Sequence, residues 1–286
     1  MIGRLLNSIA EQTYTDYSVL ICHDGEGGGI SEQHYPFEYA YFSKPHRGVC
    51  QTRNSLLEAA SAEYVMFCDA DDMFSAPTGL QALMSHDADV IASPYNAERY
   101  DGTTHLYEKD MIRVHGKVFR RSYLQEQRID FPDVESNGDM YFLWLAFHLT
   151  EDVVWIAENV YTWKCNPFSV TRRIPHYNTQ RYDRALKCYG ALARNLMQRG
   201  RDDLAREVIA ANIEGAYNRS HADRWRMIPR EYTSRAEAAI AEFLTEFADS
   251  YTANSPEIAE WIRQKVGDES GKRIHNSQGR TIRHPL

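Results

Sequence analysis

No stretch of this 286-residue chain approaches the run of roughly 20 apolar residues that a membrane span needs. Positive charge is also scarce: 32 Lys and Arg stand against 40 Asp and Glu, a formal net charge of −8. A broad nucleic-acid surface needs the opposite field, so nucleic acid is not an expected partner. The short basic pairs Arg120-Arg121 and Arg172-Arg173 do not reverse that balance. Cysteine is sparse and odd in number, five in all (Cys22, Cys50, Cys68, Cys165 and Cys188), without the paired spacing of a disulfide framework or zinc site. A secretory pattern is missing too, because Arg4, Asn7, Glu11 and Gln12 interrupt the apolar residues at the start. These absences lead us to expect a reducing, cytoplasmic setting.

What is present is a patterned α/β sequence. Ile2, Leu5, Leu6 and Ile9 share one helical face. Tyr17–Cys22 is a continuous apolar run of strand length that ends in His23-Asp24-Gly25 and a glycine-rich loop, Gly27-Gly28-Gly29. Phe37–Phe42 is a second strand candidate, and Val49–Ala60 is a helix with Val49, Leu56, Leu57 and Ala60 as expected core contacts. Tyr64–Cys68 is another apolar strand and runs directly into Asp69-Ala70-Asp71-Asp72. A short helix at Gly79–Met84 and a strand at Asp89–Ser93 follow. Strands alternating with helices at these spacings predict βαβ units and a mostly parallel sheet. Continuous apolar strands predict cover on both sheet faces. Ligands of such sheets bind at the carboxyl ends of strands, where Asp24 and the Asp69–Asp72 cluster lie. Beyond residue 105, Met111–Phe119 reads as extended, Arg120–Gln125 as a helical turn, Asp139–Leu149 as an aromatic-rich helix, and Val153–Ile156 and Val160–Trp163 as short strands. From about residue 178 helical spacing takes over: Tyr182, Ala185, Leu186, Tyr189, Leu192 and Leu196, then Leu204, Val208 and Ile213, then Ala236, Ile240, Phe243 and Phe247.

Three acids within four positions after a buried strand repel one another unless a cation intervenes. Hard divalent ions such as Mn²⁺ and Mg²⁺ prefer carboxylate oxygens and also bind substrate phosphates. A helix N-cap followed by solvated turn acids accounts for the same residues, and the cluster alone does not decide.

The surrounding order of motifs decides more. YVMFCDADD resembles the strand and Asp-x-Asp motif of GT-A glycosyltransferases, above all family 2. RLLNSIAEQTY resembles that family's first helix, VLICHDGEGGG its second strand and acidic turn, and RGVCQTRNSLLEAA its Gly-x-x-x-x-Arg-Asn helix, with Gly48, Arg53 and Asn54 in place. HGKVFRRSYL, FPDVESNGDMYF and the stretch from Tyr161 to Thr171 resemble the acceptor half. The resemblance covers about residues 2–175 in the right order. It implies a GT-A (Rossmann-like) domain with a nucleotide-sugar-binding half at 1–105 and an acceptor-binding half at 106–177. A helical extension at 178–267 and a polar tail at 268–286 complete the expected organisation.

The resemblance also implies roles. Asp24 accepts a hydrogen bond from the nucleobase, Arg53 lies near the nucleotide, and Asp69 contacts the ribose or a metal-bound water. Asp71 ligates Mn²⁺ or Mg²⁺ directly, with Asp69 beside it; His176 falls where related enzymes sometimes supply a third metal ligand, a surface or packing histidine being the alternative. Asp139 is the general base of an inverting transfer, deprotonating the acceptor hydroxyl. The family usually has Glu-Asp there and this chain has Gly138-Asp139, which puts acceptor contacts in question. His115 and the indoles of Trp144, Trp155 and Trp163 are weaker candidates for a sugar pocket, with core packing the simpler role. The expected partners are a nucleotide-sugar donor and a saccharide or other hydroxyl-bearing acceptor; a homo-oligomer stays open.

 The donor is expected to be UDP-linked.

Two other classes stay open in the sequence. One is a catalytically weak nucleotide-sugar-binding or scaffold protein that keeps the fold, motivated by Gly138. The other is a nucleotidyltransferase, whose Gly-rich, Arg- and Lys-bearing opening loop is not found here. The resemblance further implies a first strand ahead of the helix at 2–12, lying between the strands matching Tyr17–Cys22 and Tyr64–Cys68. We therefore expect that slot to be filled by another segment, by another chain, or by residues upstream of Met1.

Overall fold

The computed structural model describes residues 2–26, 34–167, 181–222, 225, 227–253, 255–266 and 275–276. The chain divides into two compact units, Met1–Ser169 and Val170–Leu286.

The first unit is α/β. It opens with helix α1 (Ile2–Ala10), whose face of Leu5, Leu6, Ser8 and Ile9 is buried. Strands β1 (Ser18–Asp24) and β2 (Glu38–Lys44) pair in parallel, and helix α2 (Val49–Ala59) follows. Next come β3 (Tyr64–Met66), β4 (Met73–Phe74), α3 (Gly79–Met84), β5 (Val90–Ala92), β6 (Tyr95–Glu98) and β7 (Thr104–Tyr107). The unit closes with β8 (Lys117–Arg120), α4 (Arg121–Glu126), α5 (Gly138–His148), β9 (Val153–Trp155) and β10 (Tyr161–Trp163).

Two four-stranded sheets organise these elements, in the orders β3-β8-β5-β9 and β4-β10-β6-β7. In the first, β3 and β5 both run antiparallel to β8, while β5 and β9 are parallel. Thus β3, β5 and β9 share one direction, as βαβ logic requires, and β8 is inserted against them. Helix α5 is apolar nearly all round, with Met140, Tyr141, Phe142, Leu143, Leu145, Ala146 and Phe147 buried. That is the signature of a helix inside the core, where each large side chain contributes about 1.5–3 kcal/mol of burial. Phe142 stacks on Phe131 at 4.2 Å, and Phe67 and Phe119 pack edge-on against it.

Three expectations need correction. The buried face of α2 carries Cys50 and Arg53, while Val49 is 55% exposed and Leu56 and Leu57 are only half-buried. An apolar-face reading fails there because the buried group is a cation with carboxylate partners. The strands are not uniformly covered: β5 is wholly buried, but β1 and β3 are half-buried. Their pairing is the reason. β1 pairs with β2 and β3 with β8, the two do not pair with each other, and among the described residues no strand joins them. Finally, most of Met111–Phe119 is a loop, with strand structure starting only at Lys117.

The second unit contains helices α6 (Tyr182–Gln198), α7 (Asp202–His221), α8 (Arg230–Phe247) and α9 (Pro256–Val266). Leu186, Leu192 and Leu196 on α6, Val208 and Ile213 on α7, and Ile240, Phe243 and Phe247 on α8 are buried, as their spacing predicts. Ion pairs Arg235–Asp183 and Arg194–Glu246, both at 2.6 Å, step in the same sense along α6 and α8. Those two helices therefore run parallel. The polar tail predicted at 268–286 lies almost wholly outside the described residues, as does the Gly27–Gly29 loop.

Candidate active site

The candidate residues lie at the carboxyl end of β1, on the turn after β3 and at the first turn of α5. Asp24, the last residue of β1, accepts hydrogen bonds from the amides of Arg47 (2.8 Å) and Gly48 (3.0 Å), and His46 Nδ1 lies 2.8 Å away. Burial raises the Asp24 carboxyl, but the two amides and His46 outweigh it and hold the group below its ordinary value. Gly48, at φ 88°, supplies the backbone turn that aims those amides back at β1 and starts α2.

Arg53 projects from α2 with only 6% of its surface exposed. Its Nη2 donates to Asp69 Oδ1 at 2.7 Å, and its Nη1 donates to Asp139 Oδ1. The guanidinium also lies 5.3 Å from the Phe131 ring. Burial disfavours its charge, but Asp139 and Asp69 overcome this and keep the cation firmly protonated. Helix α2 is fixed in turn: Asn54 donates to Phe131 O and accepts from Phe131 N, each at 2.8 Å. At the other end of the contact, a Cβ on Gly138 would fall 2.2 Å from Cys50 Sγ. The sulfur therefore occupies the room that a glutamate at 138 would need, which gives the departure from Glu-Asp its steric reason. Burial, with Asp139 adding to it, pushes the Cys50 thiol up to about 11.

The acidic turn after β3 is held from several sides. The Asp72 amide donates to Asp69 O at 3.0 Å, closing the turn. Asp72 is fully buried; its carboxylate accepts from the Lys164 amide at 2.9 Å and from the Tyr161 hydroxyl at 3.0 Å. That same hydroxyl accepts from the Asp69 amide at 3.1 Å. Burial lifts the Asp72 carboxyl to about 7. For Asp69, burial also raises the carboxyl, but Arg53 and then His115 bring it below its usual value. Asp71 points elsewhere: Asn166 Nδ2 donates to its carboxylate at 2.7 Å, and the Arg4 guanidinium donates to its carbonyl.

His115 is buried, with Nδ1 3.6 Å from Asp72 Oδ2 and without a hydrogen-bond partner. It stacks against both Tyr161 and Trp163. Burial lowers its pKa. Lys117, fully buried on β8, donates to the carbonyls of Arg113 (2.7 Å) and His115 (3.1 Å) and so sets the loop that carries His115. Burial depresses the Lys117 ammonium to about 8. Trp144 stacks on His148 and Trp155 on Phe147, both half-buried packing contacts.

A divalent cation finds suitable donors here. Ligand atoms of Asp69, Asp72 and His115 all lie within 4.8 Å of one another, and the bare His115 Nδ1 faces them. Asp71 is a further carboxylate on the same turn, outside that convergence, and His176 lies outside the described residues. Of the residues singled out in the sequence, the structure thus brings Arg53, Asp69 and Asp139 into one contact. It sets Asp72 of the acidic cluster beside Asp69 and His115, and it adds Lys117 together with Tyr161 and Cys50, whose roles come from contacts far apart in sequence.

Comparison with known proteins places this geometry in a family. The model of glycosyl transferase family 2 matches residues 1–143. The putative glycosyltransferase EpsH of Bacillus subtilis is 21% identical over 220 residues, 66% of this chain and 63% of the relative. The glycosyltransferase GlyA of Streptococcus pneumoniae is 22% identical over 207 residues, 60% of this chain and 30% of its own length. The chain thus spans under two thirds of either relative. Among solved structures, S. aureus TarS 1–349 in complex with UDP superposes with a TM-score of 0.64 at 16% identity, covering 92% of this chain and 83% of that one. The mannosyltransferase PcManGT of Pyrobaculum calidifontis, in complex with GDP-Man and Mn²⁺, gives 0.51 at 14% identity, covering 92% and 74%. With its α/β unit built in the GT-A manner and half its length matched by the family model, the chain belongs to glycosyl transferase family 2.

Proposed function

We propose that this protein transfers a sugar from a nucleotide diphosphate donor, a UDP-sugar, to an acceptor hydroxyl with inversion. One observation carries the reading: a single buried arginine joins Asp69, on the acidic turn, to Asp139, at the opening of α5. A donor-side acid and a candidate base are thereby held at one site.

In this reading Asp139 accepts the acceptor's proton while the hydroxyl attacks the anomeric carbon from the face opposite the departing nucleotide. Asp24 faces the nucleobase, and Asp69 the ribose. Asp69 and Asp71 would hold Mn²⁺ or Mg²⁺, Asp71 on release from Asn166, and the ion would supply Lewis-acid stabilisation of the leaving diphosphate. Two proteins similar in fold support a nucleotide-sugar donor: TarS was crystallised with UDP and with UDP-GlcNAc, which favours uridine, and the PcManGT structure, a complex with GDP-Man and Mn²⁺, favours the metal.

The test is a thermal-shift and calorimetric screen of nucleotides with and without Mn²⁺, since a ligand bound to the folded state raises apparent stability. UDP is expected to bind more tightly than ADP and to require the metal, and Asp71→Asn to abolish that metal-dependent binding. Tighter ADP binding would reject the uridine assignment, and unchanged affinity in the variant would remove Asp71 as a ligand.

A further inference from the structure

We propose that Arg53 is a positioning residue: it holds the Asp139 carboxylate in place and ties it to Asp69, so one side chain sets the geometry of both the donor turn and the base. The proposal rests on the transferase reading above and gives Arg53 a different part from direct contact with the nucleotide.

Exposure argues this first. The Arg53 side chain is 7% exposed, whereas those of Asp69 and Asp139 are 36% and 29% exposed. The two acids reach solvent, while the guanidinium between them is nearly shut off from it. Substrate therefore meets the acids, and Arg53 acts through them.

Chemistry argues it second. Both terminal nitrogens of Arg53 are engaged, one by each acid. A planar fork with fixed donor directions places two carboxylates relative to each other in a way that a single ammonium does not. Without that cation, two carboxylates that now share one guanidinium would repel, and each would seek a new orientation.

The third argument is that Arg53 is itself held. The paired Asn54–Phe131 hydrogen bonds, the Phe131 ring beside the guanidinium, and the packing of Cys50 on Gly138 fix α2 against the segment leading into α5. A positioning residue needs such a rigid mount, because a base displaced by about 1 Å costs on the order of 10²-fold in rate.

The experiment combines Arg53→Lys with Asp139→Asn, singly and together, in two readouts. In turnover, Arg53→Lys is expected to lower kcat by about 10–10²-fold, with donor KM changed less than about threefold. The double variant is expected to be slower than Asp139→Asn by much less than the loss Arg53→Lys causes alone, because only the Asp69 contact is left for Arg53 to hold. Independent, multiplying losses, or a loss confined to donor KM, would overturn the proposal and make Arg53 a nucleotide contact. The second readout needs no activity. The urea midpoint of the double variant is expected to fall by less than the sum of the two single shifts, as for groups in direct contact. Additive shifts would show that Arg53 does not hold Asp139. Arg53→Gln, which keeps N–H donors without the charge, replaces Arg53→Lys if the latter fails to fold. Absence of transfer by the unmodified protein would reject the transferase reading, while the stability cycle would still decide whether Arg53 holds Asp139.

Discussion

Gly138→Ala tests the tightest contact in the site. Gly138 opens α5, and its φ lies outside the left-handed region, so the backbone accepts an alanine. Helix propensity alone favours the change by up to about 1 kcal/mol. The obstacle is steric. The new Cβ would meet Cys50 Sγ at 2.2 Å, far inside the roughly 3.5–4.0 Å of favourable contact. The thiol has little room to retreat, since Cys50 is 5% exposed. Overpacking of this kind costs about 1–3 kcal/mol, so the variant is expected to be less stable despite its better helix former. Cys50→Ala alone removes one buried heavy atom and should cost about 1 kcal/mol, by analogy with Ile→Val. In the double variant the added methyl occupies the space the sulfur leaves, and its distance to the Cβ at position 50 is an ordinary 3.8 Å. Stability should then return close to that of the parent, a coupling of about 1–3 kcal/mol between the two sites. Urea unfolding of all four proteins in reducing buffer measures it. If Gly138→Ala is neutral, or if the two single changes simply add, the sulfur does not occupy that space.

Asp139→Asn is expected to lower transfer by about 10²–10⁴-fold, the usual effect of losing a general base, with UDP affinity kept; normal turnover would place the base elsewhere. The Asp72 carboxyl, lifted by burial from an ordinary 3.8 to about 7, binds a proton in the folded state that the unfolded chain has already released across that interval. Stability of the metal-free protein should therefore fall as pH rises from about 4 to 7. Asp72→Asn should flatten this dependence in urea melts with chelator present, and an unaltered slope would locate its source in another group. Asp24 titrates in the opposite sense: its carboxyl is held below the ordinary 3.8, so its contribution is present above that pH and disappears on further acidification. Asp24→Asn should shrink the acid-side loss of stability, as followed by circular dichroism.

Where local pattern determines local structure, the sequence was readable. The buried face of α1, the span of α3 and the buried stripes of α6, α7 and α8 follow from helical spacing of Leu, Ile and Phe. The β6–β7 hairpin escaped, although Asp101-Gly102 between Tyr95 and Tyr107 is a turn signal with strand residues on both sides. Asp69 and Asp139 were legible because motif order marks them. Arg53 was legible as a site residue but its acid contacts were not, because its partners stand 16 and 86 positions away. A charge buried against distant acids leaves no periodic trace, and the same holds for Lys117, whose depth depends on β8 lying between two other strands. Gly138 read as a deficit; its meaning depended on a sulfur carried by another helix.

The Asn54–Phe131 contact has a consequence for chemical ageing. A side-chain amide carries a donor and an acceptor side by side, and here they pair with the backbone C=O and N–H of one residue, Phe131. Hydrolysis of that amide to a carboxylate would leave the Phe131 N–H satisfied but turn an oxygen toward the Phe131 carbonyl. Two acceptors would then face each other where one bond had been. Asn54 is followed by Ser55, a small neighbour that does little to shield the amide; the helix backbone around it is what slows the reaction. Stored protein that acquires one negative charge at this position should lose the registry between α2 and the segment leading to α5 while every residue named in the chemistry is still intact.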